Sequence, residues 1–218
     1  MKLPIVIVNF KTYEESTGAN ALFLAKQIQK ASIDLKKNVA ICVQAIDARV
    51  IANSVSIPVL AQHIDHQDFG SNTGHHLIKV YKKAGIKGAI INHSENRIPK
   101  SQIEQIVKKA KKENFYIIVC VKDEVEAKEY SKFKPDLIAV EPPELIGGDI
   151  SVSLAKPEII TKTVKNSTVP ILTGAGVHTT EDVKISIELG AKGVLVASGV
   201  VKAKDSYEET KDLLKGLI

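Results

Sequence analysis

Eight short apolar, β-branched runs recur along this chain, separated by stretches with helical spacing, and that rhythm demands a sheet whose strands are joined by crossover helices. The runs fall at residues 3–9, 38–44, 58–63, 87–92, 115–121, 136–141, 169–174 and 193–197. Most are continuously apolar rather than alternating, as in parallel strands that are covered on both faces. Helical patterns between them include residues 20–35, 101–113, 124–130, 181–189 and 207–217. Asp123 with Glu126, Thr179 with Asp182 and Asp205 with Glu208 each place a capping side chain three residues before an acid, a helix-start signal. Ala84-Gly85, Leu189-Gly190 and Pro135 supply stops or connectors. Eight units at about 27 residues each consume all 218 residues. The expected fold is therefore an α/β, closed (β/α)₈ barrel of the smallest usual size, with eight parallel strands and trimmed outer helices, one domain over residues 1–218. An open doubly wound sheet is the alternative. It would show polar, alternating edge strands and, for a dinucleotide site, a glycine fingerprint after the first strand, which Asn9-Phe10-Lys11-Thr12-Tyr13 is not.

Composition narrows the functional classes. The chain is 44% hydrophobic with two Cys and no Trp, an ordinary globular balance that excludes a disulfide scaffold or a disordered tail. The apolar run at residues 3–8 is too short for a signal-peptide core or a membrane span, so a soluble, cytoplasmic protein is expected. Cys42 and Cys120 sit inside apolar runs and read as buried reduced thiols. The formal charge of +5 raises the question of nucleic acid. Yet Lys36-Lys37, Lys82-Lys83, Lys108-Lys109, Lys111-Lys112 and Lys132/Lys134 all fall at the ends of helical patterns, where cations complement the helix dipole. Aromatics for base stacking make up only 5%, so no nucleic-acid partner is expected.

In a parallel barrel the chemistry sits at the C-terminal ends of the strands. Strand one ends in Asn9 and Lys11, strand four in Asn92-His93-Ser94-Glu95, and strand six in Glu141 followed by Pro142-Pro143. Strands seven and eight end in Gly174-Ala175-Gly176 and Ala197-Ser198-Gly199. This set supplies a base, a neutral proton donor, a fixed cation and two small-residue loops whose amides can hold a phosphate. Those are the parts for moving a proton next to a carbonyl on a phosphorylated substrate. Glu141 stands out because it ends an otherwise apolar strand and the two prolines fix the chain after it. With Gly147-Gly148 at the far end, the segment reads as a lid with one stiff and one soft hinge.

The order and wording of these segments resemble the triosephosphate isomerase family over essentially the whole chain, in particular its short archaeal branch. Asn9-Phe10-Lys11, Ala61-Gln62, Asn92-His93-Ser94-Glu95-Asn96-Arg97, Val140-Glu141-Pro142-Pro143, Gly174-Ala175-Gly176 and Ala197-Ser198-Gly199 carry the resemblance. It implies reversible interconversion of dihydroxyacetone phosphate and D-glyceraldehyde 3-phosphate, a step of glycolysis and gluconeogenesis, with no cofactor and no metal. By the same resemblance, Glu141 is the base, His93 the uncharged electrophile and Lys11 the cation, while Glu95 anchors Lys11. Asn9, Phe10, Lys11, Ile146, Gly147, Gly176, Ala197 and Ser198 are expected to bind substrate. Residues 63–76, with Gly70-Ser71-Asn72-Thr73-Gly74, resemble a loop that reaches into a neighbouring subunit, which implies a homodimer or homotetramer. The His75-His76 pair is not read as a metal site, because neighbouring histidines at a helix start do not face one ion. Gly148-Asp149 departs from the family's usual Thr-Gly and bears on lid kinetics. Two rivals are a Schiff-base barrel enzyme, whose reactive Lys often lies where this chain has Glu141, and a non-catalytic phosphometabolite-binding protein.

Overall fold

Each strand of the chain is apolar on both faces because each face meets a different core. In the computed structural model, which describes residues 1–145 and 151–218, eight parallel strands close into a barrel in sequence order. They are β1 (Ile5–Asn9), β2 (Asn38–Val43), β3 (Val59–Ala61), β4 (Gly88–Ile91), β5 (Tyr116–Val121), β6 (Leu137–Val140), β7 (Ile171–Gly174) and β8 (Gly193–Val196). All eight lie within the runs expected from sequence. Successive side chains on a strand point to opposite faces. Ile5, Ile7, Ala40, Cys42, Leu60, Ile90, Ile118, Cys120, Leu137, Ala139, Leu172 and Leu195 fill the barrel's interior. The intervening Val6, Val8, Val39, Ile41, Val119, Ile138 and Val194 face the helices. Cys42 and Cys120 are free and buried, and burial pushes both thiols up, away from the reactive thiolate.

The helices among the described residues are α1 (Ala19–Leu35), α2 (Ala45–Ala52), α3 (Ile78–Lys83), α4 (Lys100–Lys112), α5 (Glu124–Ser131), α6 (Val152–Ala155), α7 (Pro157–Asn166), α8 (Thr180–Glu188), α9 (Ser198–Val201) and α10 (Ser206–Lys215). The three sequence-read caps are present. Asp123 accepts from the amides of Val125 and Glu126, Asp205 from those of Tyr207 and Glu208, and Thr179 forms a reciprocal capping box with Asp182. Helices α2 and α3 carried no start signal. Their N-caps, Gln44 and Leu77, make no side-chain capping bond, and the helices are 8 and 6 residues long. Basic residues occupy the last turns of α3 and α4, as the lysine pairs implied. No described helix is long and apolar enough to cross a membrane.

Closure depends on one backbone approach. Strand β8 pairs with β1 in parallel, Ile5 opposite Gly193. Gly193 has φ +143°, and a Cβ placed there would stand 1.9 Å from the Ile5 carbonyl oxygen. A side chain at this seam would push the first and last strands apart. Gly193→Ala is expected to destabilise the fold by about 3 kcal/mol in denaturant unfolding, at the upper end for an overpacked site. A change within 0.5 kcal/mol, the usual range for a neutral surface substitution, would mean the seam is not what closes the barrel.

Candidate active site

The period that fills the barrel also aims its polar residues. Continuing the inward positions by two residues takes Ile5 and Ile7 to Asn9, Leu60 to Gln62, and Leu137 and Ala139 to Glu141. One cavity at this end of the barrel is lined by Asn9, Lys11, Tyr13, His93, Glu141, Gly176, His178, Ala197, Ser198 and Gly199, among others, and a second beside it shares Asn9, Lys11, Tyr13 and His93 and adds Gln62 and Glu95. Residues scattered from position 9 to position 199 in sequence are thereby brought to one mouth.

Three residues at the strand ends adopt left-handed backbone, which turns the chain sharply there. Lys11 has φ +49°, Asn92 +60° and Ala175 +74°. Lys11 is held on both sides of its peptide: its amide donates to Asn9 Oδ1 at 3.1 Å, and Gln62 Nε2 donates to its carbonyl at 2.9 Å. Gln62 Nε2 is also 3.3 Å from Asn9 Oδ1. Asn92, a residue that tolerates this conformation, donates to the Cys120 carbonyl at 2.9 Å and accepts from the Ile98 amide at 3.2 Å. That turn presents His93 to the cavity.

The ring of His93 is buried and oriented. The Glu95 amide donates to its Nδ1 at 3.2 Å. An amide can only donate, so Nδ1 is the acceptor and the ring proton sits on Nε2. Nε2 lies 3.6 Å from Glu141 Oε2. Lys11 Nζ is 2.6 Å from Glu95 Oε1, which fixes the ammonium at the cavity's edge. Glu141 follows directly on strand β6, so the lysine that the Schiff-base rival would place there is missing.

Glu141 is 7% exposed, and its Oε2 has no hydrogen-bond partner among the described residues. Burial raises its carboxyl above the ordinary glutamate value, while His93, the Cys120 thiol and Lys11 pull in the opposite direction. Its place is made by Gly174. A Cβ there would stand 2.6 Å from Glu141 Cγ and 2.9 Å from Oε1. The glycine opening the Gly-Ala-Gly segment is therefore the floor under the carboxylate as well as part of a turn.

On the other side of the cavity, the amides of Ser198 and Gly199 open α9 and, by helix geometry, have no partner within it. Gly176 and Ala197 line the same wall. Glu95 stands where the resemblance expected it, on Lys11. The Phe10 ring is fully buried in the core between sheet and helices, because it lies between the inward-facing Asn9 and the turn at Lys11 and so faces outward. Ile146, Gly147, Gly148 and Asp149 lie outside the described residues. Two polar lining residues, Tyr13 and His178, were not read from sequence. Tyr13 takes the Lys202 ammonium over its ring at 4.3 Å, and the His178 ring lies against Gly199. Neither follows a strand end directly, so no strand-end signal marks them. His75 and His76 gather on one carboxylate: His75 Nδ1 is 3.2 Å from Asp65 Oδ2, to which the His76 amide also donates at 2.7 Å.

A base held above the ordinary carboxylate range leaves a kinetic signature. The acid limb of kcat/KM for whatever substrate this site takes is expected to fall at a pH above that of an exposed glutamate, since activity needs the ionised form. A pH profile with that limb at or below the ordinary value would contradict the buried position of Glu141.

A model of the triosephosphate isomerase family matches residues 4–214. Relatives that carry the name triosephosphate isomerase include one from Methanothermus fervidus, 44% identical over 98% of this chain and 99% of the relative. Another, from Methanobrevibacter smithii, is 43% identical over the whole of both chains, and one from Methanocaldococcus jannaschii is 44% identical over 97% of this chain and 99% of its own.

Proposed function

Because the chain belongs to the triosephosphate isomerase family, we propose that it interconverts dihydroxyacetone phosphate and D-glyceraldehyde 3-phosphate through a cis-enediol(ate), Glu141 acting as base and His93 as electrophile. The observation that carries this reading is the pairing of an under-bonded buried carboxylate with a ring N–H 3.6 Å away, in one cavity with a fixed cation. An oxygen of Glu141 takes the proton from one carbon and returns it to the next. The two carbons are only about 1.5 Å apart, so one carboxylate serves both. His93 Nε2–H donates to the substrate oxygen as negative charge builds on it, and an uncharged ring is well matched to an enediol oxygen that is itself a weak acid. Lys11 adds a fixed positive charge beside that oxygen and the phosphate.

Asn9 Oδ1 is occupied by the Lys11 amide and by Gln62, which leaves its side-chain nitrogen to orient the substrate oxygens. The phosphate rests on the amides of Gly176, Ala197 and Ser198, the last at the start of α9. Ile146 and Gly147 complete the phosphate contacts in this reading, on the strength of the family resemblance alone. This is an intramolecular aldose–ketose isomerisation that serves glycolysis and gluconeogenesis, and it needs no cofactor. We place it in the cytoplasm, in keeping with two buried thiols that have no disulfide.

A coupled assay of dihydroxyacetone phosphate formation from glyceraldehyde 3-phosphate tests the assignment. Glu141→Gln is expected to lower kcat on the order of 10³-fold and His93→Gln on the order of 10²-fold, the range for a positioned acid or base. Wild-type turnover at background, or a Glu141→Gln enzyme as fast as wild type, overturns it. Borohydride trapping of a covalent adduct would support the Schiff-base rival instead.

Self-association as a homodimer or homotetramer belongs to the same proposal. It is supported by Phe69, 57% exposed beside Gly70 on the loop after β3, where an apolar ring gains from being covered. Light scattering at micromolar concentration is expected to give two or four copies, and a monomer would refute it.

A further inference from the structure

We propose that Asp182 is a positioning residue for the substrate phosphate, tying the chain that returns after β6 to the loop after β7. The proposal rests on the assignment of the phosphate to Gly176, Ala197 and Ser198. A helix cap needs one oxygen, and Asp182 uses both and its carbonyl as well. Its Oδ2 accepts from the His178 amide at 3.1 Å and from the Thr179 amide and hydroxyl at 2.9 Å each. Its Oδ1 accepts from the Ser151 hydroxyl at 2.5 Å, 31 residues earlier in the chain. The Ser153 hydroxyl reaches its carbonyl at 3.2 Å and lies 2.9 Å from that of Ser151. The Val152 amide donates to the Ala175 carbonyl at 3.2 Å, closing the same seam one residue on.

The loop so held contains two consecutive left-handed residues, Ala175 at φ +74° and Gly176 at +66°. Strand β7 fixes one end of this strained pair. The other end is tied to Asp182 through the bonds from His178 and Thr179, and together with the Val152–Ala175 bond these orient the Gly176 amide. Asp182 is 4% exposed. Burial alone would raise its carboxyl, but the bonds from Ser151, the His178 amide and Thr179 outweigh burial and hold it below the ordinary aspartate value. The carboxylate is thus ionised at neutral pH, and its bonds are charge-assisted.

Three substitutions separate positioning from capping. Ser151→Ala removes the hydroxyl that bonds Asp182 and that also caps α6 through the Leu154 amide, and it leaves the α8 cap whole, so Ser151→Thr, which keeps both bonds, is its control. Thr179→Ala weakens the cap and leaves the Ser151–Asp182 bond. Asp182→Asn weakens both. The readouts are KM and kcat for glyceraldehyde 3-phosphate, the inhibition constant of inorganic phosphate, and the melting temperature. Ser151→Ala and Asp182→Asn are expected to raise KM and the phosphate inhibition constant together by about tenfold, as for a lost hydrogen bond to a charged group. The change in kcat should stay within about threefold, the pattern of lost uniform binding. Thr179→Ala should lower the melting temperature and leave KM near wild type, and Ser151→Thr should restore binding. If Ser151→Ala leaves both constants within twofold of wild type, the positioning role is wrong even where phosphate inhibits. If inorganic phosphate does not inhibit the wild-type enzyme at all, the phosphate assignment fails and this proposal fails with it.

Discussion

An ionised carboxylate brought out of water costs several kcal/mol unless its surroundings compensate, and the mouth of this barrel is organised around one such group. The alternation of β6 leaves Glu141 no choice of direction. Leu137 and Ala139 face inward, so the residue two positions on does so too. What the surroundings then provide is incomplete by design of the contacts. His93 and Lys11 draw the carboxyl toward ionisation, but Lys11 is already bound to Glu95, and Oε2 is left without a partner among the described residues. A carboxylate with every lone pair satisfied would be stable and a poor base. Here the unspent affinity for a proton is kept where a carbon acid can approach it.

The same economy shows in the backbone. Left-handed conformations at non-glycine residues cost of order 1 kcal/mol or more and survive only where neighbours over-determine them. Lys11 and Asn92 meet that condition through Asn9, Gln62, the Cys120 carbonyl and the Ile98 amide. Asn9, Gln62 and Cys120 come from a strand or its immediate end, and the Ile98 amide from the segment just before α4. The rigidity of the closed sheet is thus passed to the side chains by short bonds to backbone, and the site does not depend on the long outer loops for its precision.

How much of this could be read from residues alone follows from the distance over which each signal acts. The strands were legible because burial on both faces leaves a continuous apolar run, and Asn9, Lys11, His93 and Glu141 because polar residues ending such runs are conspicuous. Helices α5, α8 and α10 announced themselves through Asp123, Thr179 and Asp205. Helices α2 and α3 did not, since their stability comes from packing Ala48, Ile51, Ile78 and Tyr81 on the sheet rather than from local caps. The sequence motif around Phe10 does not show that its ring turns away from the cavity, since strand alternation sends adjacent residues to opposite faces. Gly174 and Asp182 were legible only as a turn and a cap. Their other contacts, to Glu141 and Ser151, join residues 33 and 31 positions apart, and no local pattern encodes a partner at that range.

The net charge shows why global composition says little about such a site. Lysines gather in the last turns of α3 and α4 and just beyond α1 and α5. Helices in this fold run antiparallel to the strands, so those ends lie at the barrel face opposite the cavity. A five-residue strand spans about 16 Å, well over the screening length of roughly 8 Å at physiological salt. The positive excess therefore contributes little to the potential felt by a bound phosphate. What meets an anion in the cavity is local: one ammonium fixed by Glu95, the amides of a short helix start, and a loop whose shape is set by Asp182. An acidic residue thereby assists the binding of an anion, because its charge is consumed by the hydroxyls and amides it organises and does not face the ligand.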